Sequence, residues 1–406
     1  MMPIKRANTF IGAGEASLRT LLLVIFNLLE WHPADGPMPE GRIDCTAHAI
    51  TSEFDQKFPA KLTCMNKMTR IVPLLATILG LLPAGVNAQS FAAAGTRAQG
   101  MGGAFVGVAD DGTAIYWNPA GLAAGSYFSL VVDAAGGEAA PDSQPFGGTK
   151  SSFLLGLSTP ALGVGYYRLK AAAAAPAPPP LLSEALVPNV VGRMRVDTLI
   201  THHAGVTLVQ SLMQGIAIGT TLKLVRGIAA SSLIDAPTAE AALSGDMAEG
   251  LGKASNQFDL DIGLMASGGP LKVGVTLRNV REPGFEVSGG DTELRLDRQA
   301  RAGFSYAVGS NWVAAADVDL LRSRDAFGER RDVAVGVEGR VAPRAFVRSG
   351  LSLNTLDDAG VEDALGLAYS VGGSYAARAA VFIDGHITTG GERTGLRWGL
   401  AARFVY

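Results

Sequence analysis

Residue types that perform catalysis or bind metals occur in this sequence only as isolated pairs. His202 and His203 are adjacent in RVDTLITHHAGV, so on a strand their side chains point to opposite faces and cannot chelate one metal ion together. Asp110 and Asp111 precede Gly112, but the regular acidic spacing of a calcium-binding loop is missing. This acidic pair therefore favours a turn, and the sequence predicts no metal site.

Nucleophile and phosphate-binding motifs are equally incomplete. Ser126 and the pair Ser231-Ser232 have no Ser-His-Asp context. The Gly-x-Gly-Gly of residues 100–103 lacks the Lys-Ser/Thr of a P-loop and a flanking strand and helix. The net charge of −3 gives no basic field that would attract nucleic acid. The sequence thus predicts no enzyme, no cofactor and no nucleic-acid partner.

The composition is unusual for a soluble protein. Of the 406 residues 48% are hydrophobic and only 17% are charged, and 51 are glycine. Soluble domains usually contain about 25% charged residues. After residue 88 no run of 18 apolar residues occurs, so no membrane-spanning helix is expected there. Low charge without a long apolar segment disfavours an ordinary cytosolic enzyme.

A secretion signal begins inside the sequence, at Met65. MNKMTRIVPLLATILGLLPAGVNA combines a short basic region, an apolar stretch too short to span a bilayer, and small residues before a cleavage site at Ala88. Residues 65–88 are therefore predicted to be a signal peptide. Residues 1–64 hold both cysteines, Cys45 and Cys64, and are predicted to be an upstream-start artefact or a disordered leader.

The remaining chain alternates with period two, which is typical of strands with two different faces. Phe258, Leu260 and Ile262 share one face, whereas Asp259 and Asp261 share the other. A soluble sandwich would show the same period. The secretion signal and the charges of both signs on the polar face favour a membrane barrel with a wet interior, in which every backbone polar group is paired.

The alternation and the turn signals predict an all-β, transmembrane antiparallel barrel of about 14 strands over residues 125–406. Its short connections are expected at the periplasmic side, and the long loops 171–194 and 228–256 at the outside. The first loop contains AAAAAPAPPP, which predicts an extended segment without packing. The strands are expected near residues 126–134, 151–159, 162–170, 195–209, 215–227, 257–267, 271–279, 294–308, 311–320, 331–341, 345–353, 364–371, 376–387 and 395–406.

Charged residues on the polar face are predicted to be a paired structural lining of the lumen that holds the wall and the N-terminal segment together, because buried charges are usually paired. This set comprises Asp259, Asp261, Arg278, Arg301, Asp317, Asp319, Glu338 and Arg403.

Aromatic residues near the strand ends indicate contact with the membrane surfaces and with the assembly machinery. Tyr306, Trp312, Trp398 and Tyr406 are candidates for aromatic girdles. The C-terminal strand ends on Tyr406 with Phe404 two residues before it, which resembles the signal by which outer-membrane barrels are delivered to the barrel assembly machinery. Ala401 stands where that pattern prefers glycine.

The segment before the first strand has a different character. Residues 94–124 read AGTRAQGMGGAFVGVADDGTAIYWNPAGLAA. Gly100, Gly102 and Gly103 disfavour a long helix and allow backbone to pack closely on backbone. Pro119 fixes its own φ and disfavours a helical conformation at Asn118. The segment is predicted to be a compact, hydrogen-bonded insert rather than a barrel strand.

This motif resembles the start of the FadL-type outer-membrane transporter superfamily, and especially of its PorV/PorQ-like members. The family's Asn-Pro-Ala falls on Asn118, Pro119 and Ala120, followed here by Gly121. The resemblance implies a 14-stranded barrel with an N-terminal hatch, residues 89–124, inside the lumen. FadL-type members carry hydrophobic molecules across the outer membrane, whereas PorV-like members escort secreted protein cargo of the type IX system.

The resemblance therefore implies passive transport of a hydrophobic small molecule, fatty-acid-like or aromatic, with displacement of the hatch near Asn118. The expected location is the outer membrane of a Gram-negative bacterium, where the protein contacts outer-membrane lipid. The alternative is a PorV-like barrel that binds or shuttles secreted protein cargo. Long outer loops serve either function.

Overall fold

The computed structural model describes residues 94–139, 147–177, 192–243, 252–288, 293–325, 328–356, 366–390 and 395–406. The predicted leader, the predicted signal peptide and the first five residues of the predicted hatch lie outside these ranges.

Fourteen antiparallel strands form a closed barrel, as the alternation predicted. Strand β1 (Ser129–Ala139) pairs with both β2 (Gly147–Ser158) and β18 (Arg397–Val405), and β4 (Arg193–Met213) pairs with both β3 (Leu162–Pro176) and β5 (Ile216–Asp235). The sheet therefore has no open edge around the wall. The wall strands are β1 (Ser129–Ala139), β2 (Gly147–Ser158), β3 (Leu162–Pro176), β4 (Arg193–Met213), β5 (Ile216–Asp235), β6 (Ala254–Gly268), β7 (Leu271–Arg278), β10 (Gln299–Val308), β11 (Trp312–Asp319), β14 (Asp332–Ala342), β15 (Ala345–Asn354), β16 (Gly366–Arg378), β17 (Val381–Gly390) and β18 (Arg397–Val405).

Short elements complete the described fold. β8 (Gly284–Ser288) pairs in parallel with the end of β5 and antiparallel with β9 (Glu293–Arg295). β12 (Ser323–Asp325) and β13 (Gly328–Arg330) form a separate hairpin. Helices α1 (Thr96–Gly100) and α2 (Ala114–Trp117) and a 3₁₀ helix (Pro119–Ala124) precede β1, and α3 (Ala239–Leu243) follows β5. Among the described residues, no helix has the length and apolar character needed to cross a membrane.

The two rims of the barrel differ in the length of their connections. Tight turns such as 269–270, 343–344 and 379–380 lie at the rim that also holds the start of β1 and the end of β18. The opposite rim carries the long connections. We call these the short-turn rim and the long-loop rim.

Several predicted strand boundaries need correction. The predicted loop 228–256 is partly strand, because β5 continues to Asp235 and β6 begins at Ala254. Residues 171–175 are not an unpacked loop, because β3 continues through them in register with β4. The stretch 294–298 precedes β10 rather than forming its start, and 376–378 end β16 rather than beginning β17. The alanines of 171–175 carry no clear period-two signal, so backbone pairing decides where β3 ends. The stretch 294–298 does alternate, but Leu294 and Arg295 pair with β8 rather than with a wall strand.

The two faces of the wall differ as the alternation requires. Outward side chains such as Leu222, Val335 and Leu400 are exposed and apolar. Of the girdle candidates, Tyr306, Trp312 and Tyr406 lie near the short-turn rim and Trp398 near the long-loop rim, all four exposed. Phe404 and Tyr406 of the C-terminal signal are also exposed, whereas Ala401 is buried. The assembly role of this strand stays a prediction.

Candidate functional site: the N-terminal insert and the inner wall

Residues 94–124, the N-terminal insert, lie against the inward face of the barrel wall. The short helix α1 begins at the wall itself, because the Asp133 carboxylate of β1 accepts hydrogen bonds from the backbone N–H groups of Gly95 (3.3 Å) and Thr96 (2.5 Å). An acidic side chain from another element thus supplies the N-terminal cap that α1 lacks locally. The sequence analysis did not single out Asp133, since its partners lie 37 and 38 residues away.

Arg97 of α1 lies at the centre of an ion-pair network. Its guanidinium donates to both oxygens of Glu338 on β14, at 2.8 and 2.7 Å, which is the bidentate geometry of strong charge-assisted bonds. It also contacts Asp110 (2.5 Å) and Asp111 (3.0 Å) within the insert. Glu338 in turn accepts from Arg348 on β15. Insert and wall therefore share one set of buried charges.

The same network continues around the wall to β17 and β18. Arg403 donates to Asp384 at 2.7 Å and approaches Asp111 of the insert at 3.4 Å. Burial alone would raise the pKa of the Asp111 carboxyl, but the nearby Arg97 and Arg403 hold that pKa below its ordinary value. Asp111 thus carries its charge at neutral pH. It is an ion-pair partner as well as a turn residue.

The middle of the insert is bound by side chains of β10 and β11. Asp317 accepts hydrogen bonds from the backbone N–H groups of Phe105 (2.8 Å) and Val106 (2.9 Å). Arg301 pairs with Asp319 at 2.6 Å and donates to the Gly103 carbonyl at 3.2 Å. These wall residues satisfy backbone groups of the insert that would otherwise be buried without partners.

Asn118 links the other half of the insert to the wall. Its side-chain amide donates to the carbonyls of Val106 (3.1 Å) and Leu264 (3.2 Å), and its Oδ1 accepts from the Ala120 N–H at 3.2 Å. The residue is extended and fully buried, and Pro119 opens the 3₁₀ helix after it. An asparagine fits here because one side chain must both donate and accept.

Aromatic rings fill the space between these two halves. Trp117 is fully buried, and its Nε1 donates to the Ala94 carbonyl at 3.1 Å. Its ring packs edge to face on Phe105, with 5.9 Å between the ring centroids. Tyr116 packs edge to face on Tyr167 of β3 at 5.1 Å. Arg278 of β7 lies over the Tyr116 ring at 3.7 Å, in cation–π geometry. The interior at this level is a packed core.

Glycines of the wall allow the insert backbone to come this close. A Cβ added to Gly350 would meet the backbone of Met101 and Gly102, and one added to Gly274 would meet Asn118 and Val106. Within the insert, Gly102 and Gly103 turn the chain after α1 with positive φ values of 69° and 85°. Other inward positions with the same property are Gly156, Gly163, Gly165, Gly219, Gly263, Gly303, Gly336, Gly372 and Gly399.

The remaining predicted motif glycines also lie at close contacts. A Cβ on Gly121 would strike the Ala109 backbone, and one on Gly100 would lie 3.4 Å from the Cα of Gly372. Ala120 is fully buried and donates to Asn118. The sequence motif therefore corresponds to a set of backbone contacts.

A second charge cluster lies in the wall beside the insert. Lys223 of β5 is buried and donates to Asp261 at 2.7 and 2.8 Å, with Asp259 at 3.1 Å and Asn279 at 3.0 Å. The His203 ring stacks on the Tyr167 ring, with 4.2 Å between the ring centroids. His202 lies on the opposite face of β4, as predicted for two adjacent residues on a strand.

All eight predicted lumen charges are buried on the inward face. Arg278, Arg301, Asp317, Glu338 and Arg403 contact the insert, whereas Asp259, Asp261 and Asp319 pair with wall residues.

The sequence analysis did not single out their main partners, which are Arg97, Lys223, Arg348 and Asp384. Lys223 and Arg348 occupy inward positions of alternating strands, so the same pattern would have found them.

A small polar cleft lies above α1 towards the long-loop rim. Three arginines, Arg301, Arg330 and Arg397, line it together with Gln99 of the insert and Asp332.

Solved structures with a similar fold include two hydrocarbon-transport proteins and a FadL homologue. The toluene transporter TodX of Pseudomonas putida is 12% identical with a TM-score of 0.51, covering 79% of this chain and 99% of that chain. The monoaromatic hydrocarbon channel CymD is 13% identical with a TM-score of 0.53 and the same coverage. A Pseudomonas aeruginosa FadL homologue is 10% identical with a TM-score of 0.50, covering 79% and 100%. The chain has the fold of the FadL-type barrels.

Sequence comparison adds little. The family model described as "F plasmid transfer operon, TraF, protein" matches residues 197–319, which run from β4 to β11 and are less than half of the chain. No curated protein matches the sequence.

Proposed function

We propose that the protein is an outer-membrane channel for passive transport of hydrophobic small molecules, with the N-terminal insert as its hatch. The observation that carries the proposal is the insert itself, which is packed against nearly every strand of a closed barrel with an apolar outer face. Three solved structures with a similar fold are named as a toluene transporter, a monoaromatic hydrocarbon channel and a FadL homologue. Transport past such a core requires part of the insert to move.

The moving part is proposed to be the segment around Asn118. Its contacts with the wall are neutral hydrogen bonds, glycine contacts and the cation–π contact of Tyr116 with Arg278, whereas α1 is held by a bidentate ion pair. Neutral hydrogen bonds exchange with water or ligand at a lower free-energy cost than buried ion pairs. Displacement near Asn118 would open a path beside β5, β6 and β7 while α1 stays in place.

The test is uptake into liposomes that contain the purified barrel. Labelled toluene and a labelled long-chain fatty acid are added to the wild type, to Asn118→Ala and to Ser349→Ala, a control on the exposed outward face of β15. We expect uptake above protein-free liposomes for the wild type and the control, and altered uptake for Asn118→Ala. Uptake by the wild type no faster than by protein-free liposomes would refute the transport proposal. Equal uptake by all three proteins would refute the hatch.

The PorV-like alternative makes a different prediction. A barrel that binds or shuttles secreted proteins needs a type IX secretion machine in the same cell. The genome that encodes this chain can be searched for that machine, and its absence would remove the escort function.

The domain boundaries ahead of the insert belong to the same proposal. Export to the outer membrane requires the signal in residues 65–88, with cleavage after Ala88 and loss of residues 1–64. N-terminal sequencing of the protein purified from membranes checks this directly. A mature chain that retains Cys45 would contradict it.

A further inference from the structure

The outward face of strands β3, β4 and β5 changes character with height. Near the short-turn rim it is apolar and exposed, for example at Val164, Val206 and Leu224. Near the long-loop rim the same face of β3 is covered, because Ala174 packs in one apolar cluster with Ala239 and Ala242 of α3. Between the exposed apolar surface and the surface covered by α3 lies a band of polar side chains.

That band is basic. Arg168 of β3 pairs in register with His202 of β4, which pairs with Arg226 of β5. Directly opposed side chains on one face of an antiparallel sheet begin about 5 Å apart, so the three form a continuous row. Lys170 lies two residues further along β3 on the same face. Arg281, whose guanidinium is 5.7 Å from the centre of the outward Phe258 ring, extends the row to β6.

Acidic side chains of the barrel wall lie on the opposite, inward face. Asp259, Asp261, Asp317 and Asp384 are all buried on the inward face. Among the residues that the structure describes, no acidic side chain occupies an outward position of β3–β6, so the row lies on a basic part of this face. A charge on the lipid side of a barrel is unfavourable at the bilayer midplane and tolerated at the interface, so the basic row marks an interface level.

We propose that this basic row binds the phosphate of a lipid headgroup in the outer leaflet of the membrane. The long-loop rim is the expected outer side, and the row lies just below its helix-covered surface. Arginine side chains form paired hydrogen bonds with phosphate oxygens, and clusters of Lys and Arg beside a membrane surface recognise anionic headgroups. The inference rests on the proposed membrane placement and is independent of the transported molecule.

Tyr166 supports the assignment of the row to the interface. Its hydroxyl lies 2.8 Å from Nδ1 of His202, and its ring lies in the rows just below Arg168. Tyrosine is enriched at membrane interfaces, where its ring is apolar and its hydroxyl is polar. The hydrogen bond fixes the His202 ring beside the two arginines.

The experiment measures lipid binding by native mass spectrometry of the full-length barrel purified in a nonionic detergent. The probes are diphosphorylated lipid A, neutral phosphatidylcholine and inorganic phosphate. The variant Arg168→Gln with Arg226→Gln is compared with Arg340→Gln with Arg344→Gln, which removes the same charge at the short-turn rim.

We expect the wild type and the control to bind lipid A in preference to phosphatidylcholine, and the Arg168/Arg226 variant to bind lipid A roughly 30-fold more weakly. The pair Arg168→Lys with Arg226→Lys keeps the charge and is expected to retain most of the binding, which serves as the test if the glutamine variant does not fold. Equal lipid A affinity in the glutamine variant and the control would overturn the proposal.

Two further outcomes would also overturn it. In one, phosphatidylcholine binds as tightly as lipid A, and in the other the basic row binds inorganic phosphate but not the lipid. Dimerisation through this face without bound lipid would identify a second copy of the chain as the occupant instead. Hydrocarbon uptake measured on the same preparations separates these results from failure of the transport proposal.

Discussion

The two halves of the N-terminal insert are held in the barrel by different kinds of interaction. Residues 94–111 are fixed by charge: Asp133 caps α1, and Glu338 forms a bidentate pair with Arg97. Residues 112–124 pack on wall glycines, as the first half also does, and are otherwise fixed by the neutral amide of Asn118 and by the cation–π contact of Tyr116 with Arg278. One segment of 31 residues thus has a strong anchor and a weaker one.

This difference indicates how a plug can open without leaving the barrel. Breaking a buried ion pair by removing one partner leaves an uncompensated charge, which is strongly unfavourable. Breaking a neutral hydrogen bond leaves a dipole that water or a polar ligand group can satisfy. We therefore expect the half around Asn118 to move while α1 holds its position.

The largest effect is expected from Glu338→Gln. This change leaves Arg97 and Arg348 without the carboxylate that both contact, and we expect the free energy of unfolding to fall by about 3–5 kcal/mol. Urea titration of the barrel in lipid vesicles measures it. The control is Glu293→Gln, whose partner Arg295 is exposed at the long-loop rim, with an expected change of about 0–1 kcal/mol. Similar changes in both variants would show that α1 is not anchored by charge.

Gly263→Val tests the packing of the second half. The added side chain would occupy the place of Asn118 and Pro119, and overpacking of this kind costs about 1–3 kcal/mol. We also expect faster efflux of a small sugar from liposomes, because the insert must shift away from β6. Gly385→Val on the outward face of β17 has open space, with the nearest atom 3.9 Å from the added Cβ, and should change neither quantity.

Asn118→Ala is expected to lower the free energy of unfolding by about 1–2 kcal/mol, since it leaves the carbonyls of Val106 and Leu264 without this donor. Sugar efflux should increase more than it does in Glu338→Gln for the same loss of stability. The comparison between the two halves fails if Asn118→Ala destabilises the barrel more than Glu338→Gln does.

Ser305→Ala should have the smallest effect. Ser305 donates to the Gly107 carbonyl at 2.8 Å, and loss of one neutral hydrogen bond in the better-anchored half costs about 0.5–1.5 kcal/mol. The ion pairs of Arg97 are expected to keep this half in place, so sugar efflux should stay at the wild-type rate. Increased efflux in Ser305→Ala would show that the first half also moves.

Strand alternation, together with the secretion signal and the charges on the polar face, predicted the barrel but not its full height. Phe258 to Leu264 alternate clearly, and β6 was predicted within a few residues of its observed bounds. The alanines after Lys170 have no such contrast, yet they pair with β4 and extend the wall towards the long-loop rim. Small residues fit both faces of a sheet, so their pairing depends on the neighbouring strand.

The inward placement of the eight charged residues could also be predicted, since parity alone assigns a face. Their partners could not. Glu338 is 241 positions from Arg97, and Arg403 is 292 positions from Asp111. A pattern over a few neighbouring residues cannot reveal contacts between residues so far apart in sequence. These contacts form only when closure of the barrel brings the strands around one insert.

The sequence by itself determined the class of fold, the two faces of each strand and the identity of the N-terminal motif, because these depend on side-chain period and on local backbone preferences. Only the tertiary structure decided which charges pair, which wall glycines receive the insert and that Arg168, His202 and Arg226 form one row. Those relations join residues on different strands, and hydrogen-bond register across the closed sheet fixes them.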